Sequence, residues 1–253
     1  NLCLHTWCWS VPRAARMKPP PAPRLFPFLA REASIGVILR RGPVDWAHLT
    51  VWRTDRDIFA HGQWMRARVY EDRGDLAPDG SLFLYFTRKQ NPHTVAGGYG
   101  DAWTAISKPP YFTALALWPQ GGTYFGGGLF EDNRTVLLNG LSGANYHPSH
   151  KPEGLIVRGA RGGFVDGWAY IERLQRDGWQ VDGQWATKKV DGWSSVAKPP
   201  STWSRLNPAG THMLVMTYPG GSAYPGRTNY DPHLPGGFGG YAVRFSVQNV
   251  ADG

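Results

Sequence analysis

Two short sequence patterns recur in this chain, and their recurrence limits the fold more than any other feature. The turn Leu76–Gly80 (LAPDG) precedes the apolar run Leu82–Phe86, and a copy, Leu206–Gly210 (LNPAG), precedes the run His212–Tyr218. In each copy the proline pre-sets φ for the first central position of a turn, and the glycine tolerates a positive φ. Each copy therefore predicts a unit of strand, tight turn and strand.

The second pattern is a tryptophan-containing decapeptide. Asp101–Pro110 (DAWTAISKPP) recurs 90 residues later as Asp191–Pro200 (DGWSSVAKPP), and five of the ten positions are identical. Leu117–Gly121 (LWPQG) is a looser third copy of the turn. A further pair of similar segments consists of Arg56-Asp57 with Gly62-Gln63-Trp64, and Arg176-Asp177 with Gly183-Gln184-Trp185. Degenerate units spaced at roughly 40–50 residues are typical of propeller blades.

The composition favours many short strands joined by tight turns. The 253 residues include 32 glycines and 21 prolines, yet they also include 12 tryptophans, which a disordered chain rich in glycine and proline would lack. Helical periodicity is almost absent. We therefore predict an all-β fold, a small β-propeller of about five degenerate blades, with a β-sandwich or another multi-sheet β fold as the alternative.

The hairpin Arg66–Lys89 is the most regular stretch. Its second strand, Leu82–Phe86, is a continuous apolar run and is therefore predicted to be buried on both faces, so that the hairpin needs neighbours on both sides. Ala169–Gln175 could alternatively form a short helix. Other predicted strands are Ser34–Leu39, Ala47–Arg53, Thr113–Trp118, Gly128–Phe130, Thr135–Asn139, Leu155–Arg158, Trp168–Leu174 and Tyr241–Val247.

The chain is predicted to contain one domain, residues 34–253, preceded by a disordered, proline-rich extension, residues 1–33. Five prolines within Met17–Glu32 favour extended polyproline II structure. The opening segment lacks the pattern of a signal peptide and is interpreted as upstream or disordered sequence. Cys3 and Cys8 both lie in it, so no disulfide framework is expected. No apolar run is long enough to span a membrane, and a cytoplasmic location is predicted.

The net charge of +8 raises the question of nucleic-acid binding. Residues 1–45 carry seven basic residues against two acidic ones, so the remainder of the chain is close to balanced. A basic stripe across a folded face is therefore not indicated, and nucleic-acid binding is an unfavoured hypothesis confined to the N-terminal end.

The Leu-x-Pro-Asp-Gly turn followed by an apolar strand resembles the TolB-type propeller repeat, whose hallmark is a Ser-Pro-Asp-Gly turn. Ala77 and Asn207 stand where that family has serine, and Asp79 is present in only one copy. The resemblance implies a propeller and no particular activity, because that fold supports many functions. More broadly, the chain resembles bacterial proteins of unknown function.

Two groups of residues could support chemistry. His147 and His150, with Glu153 nearby, could bind Zn²⁺, but Pro148 and Pro152 prevent a helix that would align them, so a polar surface loop is preferred. Carboxylates in Asp72–Asp79 could form a glycosidase pair, although Asp75 and Asp79 are more readily explained as turn formers.

Tryptophan and glycine patterns are explained mainly by packing. Trp103 and Trp193 occupy matching positions in the decapeptide, which indicates a repeated packing role, whereas Trp118, before Pro119, is predicted to be exposed and to stack on a ligand. The glycine runs are interpreted as bulges and turns, because none opens a helix followed by lysine.

The leading functional hypothesis is a non-catalytic binding or scaffold module that uses loops on one propeller face. Its candidate ligand-binding residues are Trp118, Asp75, Asp79, His147 and His150, and its expected partner is a protein, with carbohydrate possible. No catalytic residue, metal or cofactor is assigned, and no membrane association is expected. The alternative is a glycan-acting hydrolase that uses the carboxylates of Asp72–Asp79 and aromatic platforms such as Trp118.

Overall fold

The computed structural model describes residues 23–42, 45–140, 143–159, 168–182, 187–190, 193–198, 201–218, 221–222 and 244–252. Strands make up 52% and helices 8% of the structure, which confirms the all-β class. The copies at Gly183-Gln184-Trp185 and the ends of Asp191–Pro200 lie outside the described residues, as do residues 1–22.

The structure contains two short helices, α1 (Pro92–Ala96) and α2 (Trp168–Arg176), and a final 3₁₀ turn, Val250–Asp252. The strands in chain order are β1 Arg24–Leu29, β2 Ile35–Arg41, β3 Trp46–Arg53, β4 Ile58–Arg66, β5 Arg68–Leu76, β6 Phe83–Arg88, β7 Ala102–Ser107, β8 Ala114–Gln120, β9 Gly128–Phe130, β10 Thr135–Leu138, β11 Ile156–Gly159, β12 Gln180–Asp182, β13 Thr187–Val190, β14 Trp193–Lys198, β15 Ser201–Leu206, β16 His212–Tyr218, β17 Gly221–Ser222 and β18 Arg244–Asn249.

Within the described ranges these strands form five sheets. The first sheet is the antiparallel meander β1-β2-β3-β4, and the second is the antiparallel meander β5-β6-β7-β8. The third has the order β11-β10-β9, in which β10 and β11 are parallel. The fourth has the order β12-β15-β16-β18 and the fifth β13-β14-β17. No strand pairing joins one of these sheets to another in the part of the chain that the structure describes.

The second sheet packs between the first and the third sheet. This agrees with the prediction that the hairpin Arg66–Lys89 needs neighbours on both sides. Phe83 and Tyr85 of β6 pack into a core cluster shared with Val37 and Leu49 of the first sheet. Leu84, which points to the opposite face, joins a separate cluster with residues of β9 and β10. The prediction that this strand is buried on both faces is confirmed.

The two turn copies adopt the same backbone geometry. In each, the glycine N–H donates to the carbonyl three residues earlier, from Gly80 to Ala77 and from Gly210 to Asn207. Gly80 has φ +76° and Gly210 has φ +69°, values that side chains other than glycine rarely adopt. The recurrence of the sequence is therefore a recurrence of local structure.

The N-terminal boundary needs correction. The predicted extension ended at residue 33, but β1 (Arg24–Leu29) pairs antiparallel with β2 along its whole length. Pro27 lies within β1, and this is tolerated because β1 is an edge strand of its sheet, where a missing N–H disrupts no inner ladder.

The predicted strand Trp168–Leu174 is wrong, because this segment forms helix α2. The alternative of a short helix at Ala169–Gln175 agrees with the structure. Ala169 and Leu174 are buried, and Gly178 (φ +83°) ends the helix in the left-handed conformation. Among the described residues, no helix has the length and apolar character needed to cross a membrane.

The third turn copy is also wrong. Leu117, Trp118 and Pro119 lie inside β8, which forms the edge of the second sheet, and not between two strands. The His147–His150 segment runs along this edge, where His147 N–H donates to Leu117 O and Leu117 N–H donates to His150 O.

Candidate binding surface

The outer face of the first sheet carries an aromatic cluster, whereas its inner face packs on the second sheet. Because strand side chains alternate between faces, Ile38 and Arg40 of β2 lie opposite the buried side of that strand. Across the ladder, Arg40 pairs with His48 of β3, and His48 pairs with Trp64 of β4. One row of cross-strand neighbours thus consists of a guanidinium, an imidazole and an indole.

A β-bulge in β4 shapes this surface. His48 pairs with Trp64 while Thr50 pairs with His61, so β4 has one residue more than β3 in this interval. Because of this extra residue, His61 lies beside Thr50 and Trp64 lies beside His48, although His61 and Trp64 are three positions apart in β4. A Cβ on Gly62 would lie 2.1 Å from the carbonyl oxygen of Pro110, so only glycine fits at this close approach.

The face encloses a shallow cavity of about 350 Å³. His48 and Thr50 are only 5% and 6% exposed, whereas Trp64 is 45% and Leu25 is 61% exposed. His48 and Thr50 thus lie at the base, and more exposed side chains surround them. The full lining is Leu25, Ile38, Arg40, His48, Thr50, Phe59, His61 and Trp64.

The polar groups at the base contact one another. The Thr50 hydroxyl lies 3.4 Å from His48 Nδ1 and 3.3 Å from His61 Nδ1, and its single proton can serve only one of them. The His48 ring stacks on Trp64 with centroids 4.4 Å apart, and the Arg40 guanidinium carbon lies 5.2 Å from the Trp64 ring centroid. These contacts hold Trp64 in one orientation on the surface.

Burial lowers the pKa of the His48 imidazole, and the nearby charge of His61 adds to this effect. A hydrogen bond with the Gly62 backbone opposes the shift, and Arg40 contributes a further lowering. The neutral form of His48 is therefore favoured when the chain is folded.

This shift predicts a pH dependence of stability. Because the folded pKa of His48 is below the unfolded value of about 6.5, the unfolded chain binds the proton first as the pH falls. The free energy of unfolding should therefore decrease below about pH 6.5, by at most about 1.4 kcal/mol per pH unit from this group. Chemical denaturation of wild type and His48→Gln between about pH 5 and pH 8 measures this pH dependence. The free energy of unfolding of wild type minus that of His48→Gln should decrease towards acid pH. A difference that stays constant with pH would contradict the lowered pKa of His48.

Asp75 is a structural residue and not an accessible carboxylate. It is buried, and it receives two hydrogen bonds from the Arg176 guanidinium, at 2.6 Å on Oδ2 and 3.0 Å on Oδ1. The Phe130 N–H also donates to Oδ2 at 2.8 Å. Burial alone would lower the pKa of Arg176, but hydrogen bonds and charge from Asp75 and Asp177 raise it above its usual value. Asp75 is therefore neither a simple turn former nor placed to act on a substrate.

Asp79 has the contacts of a turn stabiliser, the role that the sequence favours. Its Oδ1 accepts hydrogen bonds from the Ser81 N–H at 2.9 Å and the Ser81 hydroxyl at 2.7 Å. Its own N–H donates to Asn133 Oδ1 at 2.8 Å. Asp75 and Asp79 thus serve different structural contacts and do not form a catalytic pair.

Trp118 is not an exposed platform, and this prediction needs correction. Its side chain is fully buried in the cluster between the second and third sheets, and its Nε1–H donates to Gly143 O at 3.2 Å. Trp103 is buried between the first and second sheets, as a packing role requires. The Trp193 side chain lies outside the described part.

His147 and His150 are near each other, with ring centroids 5.3 Å apart, but they contact backbone groups. Both nitrogens of His147 are engaged, since Ser149 N–H donates to Nδ1 and Nε2 lies 2.9 Å from Gly97 O. The segment is a loop with exposed neighbouring residues, as expected, but the His147 ring itself is buried and stacks on Tyr99. No group of three or more His, Cys, Asp or Glu side chains able to hold a metal occurs among the described residues.

Several basic residues of the N-terminal end have structural partners. Arg41 forms an ion pair with Glu71, and Arg31 donates to the carbonyls of Phe130 and Glu131. These contacts weaken the nucleic-acid hypothesis for the part of that end which the structure describes.

The chain was compared with known protein families, curated proteins and solved structures. The chain matches no protein-family model, no curated protein and no solved structure.

The residues of the aromatic cavity were not among the candidates from sequence. A signal for them exists, because Gly62-Gln63-Trp64 is one of the recurring segments. Gly62 is necessary because the backbone of Pro110, which is 48 positions away in the chain, approaches it closely. Sequence alone indicates that the tripeptide matters but does not reveal that it forms part of an exposed cavity.

Proposed function

We propose that this chain is a non-catalytic binding module that docks an acidic segment of a protein partner, carrying a bulky apolar side chain, on the outer face of the first sheet. The observation that carries the proposal is the exposure of Trp64, Phe59 and Leu25 around a cavity that also contains Arg40. The proposed surface is a sheet face, whereas the sequence favoured loops.

The apolar component of the proposed ligand follows from the walls of the cavity. Large exposed apolar patches on soluble proteins mark interaction sites, and tryptophan and arginine are enriched among the residues that dominate binding energy. Leu29, Trp46 and Ile58 of the same sheet are also exposed large apolar side chains. An apolar side chain of the partner would displace solvent from Trp64 and Phe59.

The acidic component follows from the charges. The cavity lining includes Arg40, His48 and His61, and none of its members is a carboxylate. A negatively charged partner is therefore favoured electrostatically, mainly through Arg40 when the histidines are neutral. The same composition weighs against the hydrolase alternative at this surface, because that chemistry requires two carboxylates.

We further propose that the stacked sheets are blades of a small β-propeller of the TolB type. The support is that the first two sheets are four-stranded meanders, that three sheets pack face to face, and that the turn recurs in the second and fourth sheets. A cytoplasmic location stays a prediction.

Selection from a random peptide library on the immobilised full-length protein tests the binding function. We expect enrichment of peptides that combine one or more acidic residues with a large apolar residue. A synthetic copy of an enriched peptide, titrated calorimetrically, should bind Trp64→Ala at least about ten-fold more weakly than wild type. Arg40→Glu should also weaken binding, because it reverses the charge that attracts the peptide.

Tyr146→Ala is the matched control, because Tyr146 is also exposed but lies in the segment after the third sheet's β10. It should bind the peptide as wild type does, and thermal unfolding should show that all variants are folded. Failure to enrich any peptide, enrichment without acidic residues, or equal affinity of Trp64→Ala and wild type would each contradict the proposal.

A further inference from the structure

The two histidines of the first-sheet cavity share one hydroxyl group. Thr50 Oγ1 lies 3.4 Å from His48 Nδ1 and 3.3 Å from His61 Nδ1, and the two imidazole rings are stacked with centroids 5.6 Å apart. A threonine hydroxyl has one proton to donate and lone pairs that accept. Thr50 therefore donates to one Nδ1 and accepts a hydrogen bond from the other, which must carry a proton.

This arrangement accommodates one additional proton. When His61 is an imidazolium, its Nδ1–H donates to Thr50 Oγ1 and the Thr50 hydroxyl donates to His48 Nδ1, so both contacts are retained. A second proton, on His48 Nδ1, would leave the hydroxyl proton without an acceptor in this group and would place two like charges in stacked rings. The three side chains are therefore suited to one positive charge and not to two.

The additional charge belongs on His61. Its side chain is exposed, whereas His48 is only 5% exposed, and hydration stabilises an imidazolium. Burial lowers the pKa of His48 and the charge of His61 lowers it further, which agrees with protonation of His61 first. Because histidines change charge in the range of about pH 5 to 8, mild acidification adds one positive charge to the cavity.

No acidic group of the cavity neutralises that charge. Arg40 of β2 is the permanent cation of the lining, β1 contributes only Leu25, and none of the described lining residues is a carboxylate. Protonation of His61 thus gives the lining two cations instead of one, and a bound anion is left as their counter-charge.

The charged groups of the neighbouring segments have other contacts or lie elsewhere. In the turn between β3 and β4, Asp55 pairs with two arginines and Asp57 accepts a hydrogen bond from the Trp52 indole N–H. Residues 108–112 pack on β4 at Gly62. The other basic or titratable residues of β1 to β4 and of this segment, none of which lines the cavity, are Arg24, Arg41, Arg53, Arg66, Lys108 and Tyr111.

We propose that the docking face responds to pH, because protonation of His61, in contact with Thr50, strengthens the binding of the acidic partner segment. This inference rests on the proposed function, since it concerns the regulation of the same cavity. The added charge lies in the lining with Arg40, where a carboxylate of the partner is attracted by both. The coupling is reciprocal, so the bound carboxylate also stabilises the protonated form of His61.

Calorimetric titration of a selected acidic peptide into the full-length protein, at about pH 5.5 and about pH 7.5, tests the inference. A nearby opposite charge shifts a pKa by about one unit or more, so wild type should bind about five-fold more tightly at the lower pH. The peptide contains no histidine, and its carboxylates are ionised at both pH values. Only the protein therefore changes charge between the two titrations.

His61→Gln should have nearly the same affinity at both pH values, because an amide does not titrate. His212→Gln is the matched control, since His212 is also exposed and has a threonine hydroxyl 2.9 Å from its Nδ1, but lies in β16 of the fourth sheet. It should keep the pH dependence of wild type. A copy of the peptide with asparagine and glutamine in place of its acidic residues should lose that dependence.

The outcomes separate this inference from the proposed function. Equal affinity of wild type at the two pH values, tighter binding at the higher pH, or a pH dependence that survives His61→Gln would each overturn the inference and leave the docking function in place. Failure of every peptide to bind at either pH would overturn both. Tryptophan fluorescence verifies folding at the lower pH, and the comparison is made at the lowest pH at which all variants are folded.

Discussion

Replacement of Asp75 by alanine is expected to lower the free energy of unfolding by roughly 3–5 kcal/mol. The substitution leaves the Arg176 guanidinium without its bidentate partner and removes the acceptor of the Phe130 N–H. Both donors lie in partly buried or buried surroundings, where an unmatched polar group is costly. Chemical denaturation followed by tryptophan fluorescence measures the change.

Asp79→Ala is the matched control for Asp75→Ala. Asp79 lies three residues after Leu76, the last residue of β5, and its carboxylate accepts hydrogen bonds from Ser81 within the turn. The backbone bond to Asn133 survives the substitution, so the loss of the carboxylate should cost about 1 kcal/mol or less. In the double variant Asp75→Ala with Arg176→Met, part of the lost stability should return, because the largely buried guanidinium charge is removed and the Asp177 carboxylate, which loses its contact with Arg176, is partly exposed to solvent. Equal effects of Asp75→Ala and Asp79→Ala would contradict the structural role assigned to the ion pair.

Replacement of Trp118 by alanine is expected to cost about 3–5 kcal/mol, the range for large aromatic side chains deleted from a core. Trp118 is fully buried with Leu84, Phe130 and Val136 between two sheets, so its removal leaves a large cavity. It also removes the donor to Gly143 O. The same denaturation experiment measures the change.

Trp64→Ala provides the comparison, since the exposed indole on the outer face should contribute far less to stability, about 1 kcal/mol or less. The two tryptophans thus have opposite expected profiles: Trp118 affects stability, and Trp64 affects binding. A loss of about 1 kcal/mol or less for Trp118→Ala, as small as that expected for Trp64→Ala, would contradict the core position of Trp118.

The parts of the fold that were predicted from sequence depend on local physics. The turn copies require glycine at a positive φ, and the run Leu82–Phe86 consists of apolar and aromatic side chains without a charged residue, so its burial on both faces follows from its composition. These features are encoded within a few residues, and the structure confirms them.

The errors at β1 and β8 share one cause, which is the interpretation of proline. Pro27 is predicted in an extension because five prolines favour polyproline II structure, and Pro119 is predicted in a turn because Leu117–Gly121 resembles the other turn copies. Both residues lie in edge strands, where the missing N–H is tolerated. Whether a strand lies at the edge depends on the order of strands in the sheet, which the local sequence does not specify.

The role of Asp75 could not be predicted, because its partner Arg176 is 101 positions away. In the sequence, Asp75 is one of several acidic residues near a turn, and a turn role is the simplest local explanation. The helix that carries Arg176 was itself predicted mainly as a strand. Only the packing of α2 against β5 and β9 reveals the pair.

Hydrogen–deuterium exchange with a selected peptide tests the central claim, that the outer face of the first sheet is the binding surface, most directly. The bound peptide should slow exchange in peptides covering β4 (Ile58–Arg66) and β3 (Trp46–Arg53), and Trp64→Ala should remove this protection at the same peptide concentration. Protection confined to other segments, such as the loop at residues 121–125, with β3 and β4 unchanged, would contradict the claim.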